Sequence, residues 1–193
     1  MKGMFPNLTA FDVESGLLNA IVDTPKGSRN KFKFDSRNGL FKLSGTLPVG
    51  NSFPFDFGYV PSTAGDDGDP LDVLILMDEP AFVGCLVPSK LIGVIEAQQT
   101  EAGETHRNDR LIAVAGYSRN HSHVRFLGDL NSNLVHEIER FFISYNTTRG
   151  KQFEILNRAG PERAREIVLQ GVETLRGQRR KKRKRPVKLK TTN

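Results

Sequence analysis

Residues 67 to 76 read Asp67-Gly68-Asp69-Pro70-Leu71-Asp72-Val73-Leu74-Ile75-Leu76. Three carboxylates fall within six residues and an apolar run follows at once, a pattern typical of an acidic loop at the mouth of a buried strand. Carboxylates crowded this closely repel one another unless a proton or a cation neutralises them. Hard oxygen ligands on a short loop suit Mg²⁺ that carries a phosphate substrate. The stretch therefore predicts a magnesium site.

The loop taken alone leaves a second interpretation open. Asp, Gly and Pro are also the residues that a tight turn before a strand uses, so a purely structural role fits the same letters. A calcium-binding EF-hand loop is excluded. Counting from Asp67, Asp72 stands where that motif requires Gly and Asp78 stands where it requires Glu.

Around the loop, the first 120 residues consist of short apolar segments separated by Gly, Pro, Asn and Asp, which indicates a β-rich body. Strands are predicted over 16–22, 31–35, 40–43, 71–77, 85–87, 91–97 and 111–115. A turn at residues 36–39 is predicted to join the second and third of them. The close spacing favours a small barrel over alternating βαβ units.

The last third of the chain changes to helical periodicity. An amphipathic helix is predicted from apolar residues at steps of three and four, namely Leu134, Ile138, Phe141, Phe142 and Tyr145. Asp129 or Asn131 can cap it. A second helix is predicted to carry Pro161 in its first turn and to end near Gly177. The expected class is α+β, a closed or nearly closed sheet with two C-terminal helices packed on it.

Length and charge predict one folded domain, residues 1–176, followed by a basic tail, residues 177–193. Residues 176–193 hold ten of the 28 Lys and Arg and no acid, which leaves 18 bases against 22 acids before them, a net charge of −4. A segment so charged is expected to be disordered and solvated. Two roles stay open for it, a solubilising terminus or a weak contact with nucleic acid or a membrane surface.

Several classes of protein are excluded by composition. Cys85 is the only cysteine, so an intrachain disulfide framework is impossible and nothing points to a zinc-knotted scaffold. No uncharged apolar run reaches about 18 residues, so no membrane span is expected, and neither is a secretory leader. A cytoplasmic protein is the expectation.

Four further segments extend the pattern beyond the acidic loop, in a fixed order along the chain. They are Asp23-Thr24-Pro25-Lys26-Gly27-Ser28-Arg29-Asn30-Lys31-Phe32, Phe53-Pro54-Phe55-Asp56-Phe57-Gly58-Tyr59-Val60-Pro61, Asp109-Arg110-Leu111-Ile112-Ala113-Val114 and Arg140-Phe141-Phe142-Ile143-Ser144-Tyr145. Together with the loop they resemble the signatures of the soluble family I inorganic pyrophosphatases, over roughly residues 17 to 150.

The resemblance implies a fold and a reaction. The fold is a small closed five-stranded barrel of the oligonucleotide-binding (OB) type, with additional strands and flanking helices. The reaction is Mg²⁺-dependent hydrolysis of pyrophosphate to two phosphates by a metal-activated water. A homo-oligomer is also implied, with a hexamer the common form among bacterial members.

The resemblance also implies roles for individual residues. Asp69 would act as general base toward the attacking water. The implied metal ligands are Asp67, Asp69, Asp72, Asn108 and Asp23. The implied phosphate-binding residues are Lys31, Lys33, Arg110 and Tyr145.

Several of these positions depart from the family pattern. Lys33 stands at a usual Glu, while Thr100 and Asn108 stand at usual Asp ligands. Phe53 and Phe57 lack the hydroxyls of a customary Tyr pair. Other departures are Ser44 or Gly45 at a usual Arg, Arg110 at a usual Lys, and Asn146 at a usual Lys for which Arg149 or Lys151 could substitute.

These substitutions make the site about two charges more positive than the family pattern. Fewer metal ions, or more weakly bound ones, are therefore predicted. Two interpretations follow. One is a divergent but working pyrophosphatase. The other is a catalytically weakened relative that binds phosphate compounds or nucleic acid through its barrel and basic tail.

Overall fold

The computed structural model describes residues 8–184. In chain order its elements are β1 (Leu18–Thr24), β2 (Asn30–Asp35), β3 (Leu40–Thr46), β4 (Asp56–Tyr59), β5 (Asp72–Leu76), β6 (Leu86–Glu101), β7 (Glu104–Arg107), β8 (Arg110–Ala115), α1 (Ser132–Thr147), β9 (Gln152–Ala159) and α2 (Pro161–Lys184). A short 3₁₀ turn, Leu127–Asp129, precedes α1. No helix of the described segment is long and apolar enough to cross a membrane.

Five strands pair in a cycle. β1 pairs with β4 and β4 with β5, both antiparallel, and β5 then pairs in parallel with β8. β8 pairs with β6, which pairs in turn with β1. β7 and β9 extend the sheet along the second half of β6, and β2 and β3 form a separate hairpin. The predicted α+β class, a sheet of several strands with two helices, is confirmed.

After Asp72 and Arg110 at their starts, β5 and β8 are apolar because both of their faces are covered. In β5, Leu74 and Leu76 belong to one core cluster together with Phe142 of α1. Val73 and Ile75 point the other way, into a second cluster with Val168 of α2. The period of two along β5 thus divides its side chains between two cores, with one helix packed on each.

Close backbone packing explains one glycine of the sheet. A Cβ built on Gly58 of β4 would lie 2.0 Å from the carbonyl oxygen of Ile21 in β1. Only glycine allows the two strands to approach this closely, so Gly58 is needed for their pairing.

The start of α1 follows the prediction, with one of the two candidate caps in place. The Asn131 side chain accepts a hydrogen bond from the Asn133 backbone N–H at 2.9 Å, as an N-cap residue does. Asp129 instead stabilises the segment ahead of α1, because its carboxylate accepts from the backbone N–H groups of Arg125 and Phe126 before the 3₁₀ turn.

The end predicted for the second helix is wrong. α2 continues past Gly177 to Lys184, so residues 177–184 are helical rather than the first part of a disordered tail. One glycine costs a helix only about 1 kcal/mol, and the Lys, Arg and Gln residues that follow are strong helix formers. Residues 185–193, also predicted to be disordered, lie outside the described residues.

The predicted strands are present, with changes in their extent. The segments 85–87 and 91–97 belong to one continuous strand, β6, and β4, β7 and β9 were not predicted. β7 is exposed at every position and carries no apolar period, whereas β9 is mostly exposed and alternates only at Phe153 and Ile155.

Candidate active site

The parallel pairing of β5 and β8 brings two predicted site residues together. Asp72 and Arg110 are the first residues of these strands, and the register aligns the next residue of each, Val73 with Leu111. The Arg110 Nη1 donates to the Asp72 Oδ2 at 2.5 Å and also to the Asn108 Oδ1. One guanidinium therefore joins the acidic loop to the residue just ahead of β8.

Arg110 is held rigidly. It is only 3% exposed, and its guanidinium lies 5.2 Å from the ring centroids of both Phe142 and Phe153. Its Nε is the one buried side-chain nitrogen or oxygen without a hydrogen-bond partner among residues 8–184. Packing against these two rings directs the Arg110 guanidinium toward the acidic loop.

The β2–β3 hairpin brings a second cation to the loop. The Lys33 Nζ lies 2.6 Å from the Asp69 Oδ2, and both side chains are about half exposed, 52% and 56%. Desolvation lowers the pKa of the Lys33 ammonium, but the hydrogen bond to Asp69 and the attraction of the loop carboxylates outweigh it and raise that pKa. Lys33 is therefore a fully charged neighbour of the predicted general base.

Lys31 lies two residues earlier in β2 and contacts aromatic rings. Its Nζ is 4.7 Å from the Phe57 ring centroid, 5.4 Å from that of Tyr145 and 6.0 Å from that of Phe53. Such faces attract an ammonium without forming an ion pair with it, so the Lys31 ammonium is available to an anionic ligand.

Tyr145, in the last turns of α1, lies beside Arg149, whose Nη1 donates to the tyrosine hydroxyl. The Asn146 side chain instead donates to the backbone carbonyl of Phe142, which makes it part of the helix rather than of the site. Lys151 pairs with Glu101 at 2.6 Å. Of the two bases offered as substitutes at Asn146, Arg149 is thus the one in contact with a predicted phosphate-binding side chain.

Asp23 is buried on β1 beneath the hairpin. It is 7% exposed and accepts a hydrogen bond from the Thr24 hydroxyl at 2.7 Å. Burial raises the pKa of its carboxyl to about 7, opposed mainly by the charge of Lys31. This acid therefore titrates near neutral pH, where a bound cation can decide its protonation.

Tyr59 was missed by reasoning from the sequence. It lies directly across from Asp72 in the β4–β5 pairing. Burial raises the pKa of its phenol to about 12, and the charge of Asp23 adds to the effect. The period of a strand could have found it, because Tyr59 lies two residues after Phe57 and so shares its face.

Of the three predicted ligands Asp67, Asp69 and Asp72, Asp67 is the one that makes no salt bridge within the described part of the chain. Its Oδ1 accepts from the Asp69 backbone N–H at 2.9 Å. Partial burial raises the pKa of Asp67, and the negative charges of Asp69 and Asp72 raise it further. Asp67 and Asp72 both line a cavity of about 290 Å³ between the loop and α2.

The structure thus brings the predicted site residues to one region at the mouth of β5 and β8. Thr100 lies apart from these contacts, its hydroxyl 2.8 Å from that of Thr105 in the β6–β7 hairpin. Among residues 8–184, no group of three or more His, Cys, Asp or Glu side chains is arranged to hold a metal ion. Cations of the chain itself, Lys33 and Arg110, pair with two of the three loop carboxylates.

Comparison with known proteins gives a consistent result. The family model described as inorganic pyrophosphatase matches residues 20–176. The inorganic pyrophosphatase of Synechocystis sp. is 35% identical over 143 residues, which are 74% of this chain and 82% of that protein. The one of Geobacillus stearothermophilus is 34% identical over 155 residues, 80% of this chain and 92% of that protein. The crystal structure of the Thermus thermophilus inorganic pyrophosphatase superposes with a TM-score of 0.79 at 26% identity, covering 88% of this chain and 97% of that one.

Proposed function

The chain belongs to the family I inorganic pyrophosphatases, and from that membership we propose that it hydrolyses inorganic pyrophosphate to two phosphates. One observation carries the proposal. The acidic loop, the Lys31–Lys33 side of the hairpin and Arg110 all meet at the mouth of β5 and β8. A substrate with up to four negative charges needs such a set of cations, and its hydrolysis needs a base beside them.

The cations would bind and orient the substrate. Lys31 and Arg110 contact aromatic rings and would hold phosphate oxygens, with Tyr145 and its neighbour Arg149 beside Lys31. Lys33 forms an exposed ion pair with Asp69. A phosphate oxygen can take the place of the Asp69 carboxylate in that pair at a small cost in free energy. If the Lys33 ammonium exchanged Asp69 for a phosphate oxygen, the Asp69 carboxylate would be free to accept the proton of the attacking water.

The oxygen chemistry of these residues suits a divalent ion, although their side chains within residues 8–184 are not arranged around one. Partial burial raises the pKa of Asp67 and the charges of Asp69 and Asp72 raise it further, a cost that a bound cation would relieve, and Asp67 makes no salt bridge of its own among the described residues. Asp67, Asp69 and Asp72 would hold Mg²⁺, with Asn108 and Asp23 as further oxygen donors. When bound, Mg²⁺ neutralises phosphate charge and lowers the pKa of a coordinated water.

Phosphate release from pyrophosphate tests this proposal. We expect Mg²⁺-dependent turnover that falls by about 10²- to 10⁴-fold in Asp69→Asn, because the base is lost while the shape is kept. Asp66→Asn, which removes an exposed carboxylate from the same loop, is the matched control and should keep its activity. Turnover by the unmodified protein no higher than that of Asp69→Asn would refute the proposal.

A second candidate function rests on the two ion pairs of the loop. Because Lys33 and Arg110 already neutralise Asp69 and Asp72, the site also suits a protein that binds phosphate compounds with weakened catalysis. Calorimetry with pyrophosphate separates the two. Binding without Mg²⁺ and without phosphate release supports this second function, whereas release requires the first.

The remaining family expectations stay predictions. We propose a cytoplasmic homo-oligomer, and the cycle of five paired strands supports the predicted OB-type barrel. Sedimentation of the purified protein tests the oligomeric state.

A further inference from the structure

The C-terminal end of α2 extends away from the packed body of the protein. The inner face of α2 is buried through Ala164, Val168 and Gly171, and no residue after Gly171 within the described side chains of the helix is buried. A Cβ placed on Gly177 would meet nothing within 4 Å. Residues 176–184, named here the basic arm, continue the helix for about 13 Å beyond this packing.

The basic arm concentrates one sign of charge. Seven of its nine residues are Lys or Arg and none is acidic. Its first base, Arg176, pairs with Glu173 at 2.6 Å, and Glu173 is the last acidic residue of the chain. Arg179 and Arg180 stand three and four positions after Arg176 on the helix, a spacing at which like charges repel. A polyanion would relieve this repulsion.

The arrangement of these bases selects among polyanions. By their spacing Arg176, Arg179 and Arg180 share one face of the helix, and residue 183 follows one turn later on the same face. A stripe of about 10 Å spans about three phosphates of a nucleic-acid strand. Residues 177–184 contain no apolar side chain, so the arm lacks the apolar face that a membrane-surface helix needs.

We propose that the basic arm binds nucleic acid through the phosphate backbone, without reading bases. The arm has no aromatic side chain to stack on a base, so its affinity is electrostatic and independent of sequence. In combination with the proposed function, this binding has a chemical rationale. Nucleotidyl transfer to a growing nucleic acid releases one pyrophosphate per nucleotide, so the arm would hold the hydrolase where its substrate forms.

Fluorescence anisotropy with a labelled single-stranded oligonucleotide tests the arm. For about three or four phosphate contacts, we expect the affinity of the unmodified protein to fall by about 20- to 50-fold between about 50 and 200 mM salt. The triple variant Arg179→Gln, Arg180→Gln, Lys181→Gln keeps good helix formers. It should bind about tenfold more weakly or worse, with a shallower salt dependence.

A matched triple variant controls for net charge. Arg37→Gln, Arg119→Gln, Arg140→Gln removes three exposed bases from the body and should bind the oligonucleotide as the unmodified protein does. Both triple variants should release phosphate from pyrophosphate at the unmodified rate, and Asp69→Asn should still bind the oligonucleotide. Failure of this inference and failure of the proposed function are therefore distinguishable.

Three results would overturn the inference. The first is an affinity that the arm variant does not change. The second is an equal loss in the body variant. The third is binding to anionic lipid vesicles in place of the oligonucleotide.

Discussion

Replacing the buried Asp23 by Asn should stabilise the protein above neutral pH. Asp23 is only 7% exposed, and the Thr24 hydroxyl is its hydrogen-bond donor within the described residues. Burial, partly offset by the charge of Lys31, raises the pKa of the carboxyl from 3.8 to about 7. An Asn side chain has nearly the same shape, still accepts a hydrogen bond and never carries the charge that burial penalises.

The sign and size follow from proton linkage. Between pH 4 and 7 the folded protein keeps the Asp23 proton that the unfolded chain has lost, so the free energy of unfolding falls as the pH rises. A difference of about three pKa units at about 1.4 kcal/mol each sets the full penalty on the order of 4 kcal/mol above pH 7. Asp23→Asn escapes this penalty. The variant should therefore exceed the unmodified protein in stability by up to that amount at about pH 8 and match it near pH 4.

Urea unfolding at several pH values, in a chelator to exclude metal ions, measures the difference. Asp78→Asn is the control, because it should change the free energy of unfolding in the opposite direction. Hydrogen bonds from the Ser118 hydroxyl and the Arg119 backbone N–H lower the pKa of Asp78. Loss of the carboxylate in Asp78→Asn should therefore lower the free energy of unfolding at neutral pH, and the difference should shrink in acid. An advantage of Asp23→Asn that does not grow with pH would refute the burial argument.

Three further predictions concern single contacts. Arg110→Gln loses the charge and the fork that joins two partners, so phosphate release should fall by about 10- to 100-fold, while Arg158→Gln, at a paired arginine away from the site, leaves it unchanged. Lys33→Glu exchanges a cation for a carboxylate beside the loop and should tighten Mg²⁺ binding about tenfold in calorimetry, and unchanged affinity would contradict the proposed metal ligands. Gly58→Ala places a methyl group 2.0 Å from the Ile21 carbonyl oxygen and should cost at least about 2 kcal/mol in urea unfolding; full stability would contradict the close packing of these strands.

The sequence was sufficient to predict the parts of the fold that bury apolar side chains. β5 and β8 are almost entirely buried, and their apolar runs stand out against the polar turns around them. β7 is exposed at all four positions, and β9 buries one residue of eight. Backbone hydrogen bonds to β6 hold both strands, and such bonds leave no pattern in the side chains.

In the candidate site, the sequence could predict which residues lie in one region but not which charges meet. The loop and the neighbourhood of Asn108 and Arg110 are local in the chain. The Lys33–Asp69 pair joins residues 36 positions apart, and the Arg110–Asp72 pair joins residues 38 apart. Their meeting depends on the hairpin and on the parallel strands, neither of which a charge pattern can specify.

The two ion pairs differ in how easily a ligand can break them. Lys33–Asp69 is half exposed, and pairs of that kind contribute about 0 to 1 kcal/mol, so an incoming phosphate or cation can separate them. The Arg110 side chain is buried and that of Asp72 is 29% exposed, so separating them would leave a buried charge without its partner, and their bond should persist through a catalytic cycle. Asp72 can keep this bond on one oxygen and offer the other to a metal ion. Asp69 alone would then change partners, as its proposed role as general base beside a mobile ammonium requires.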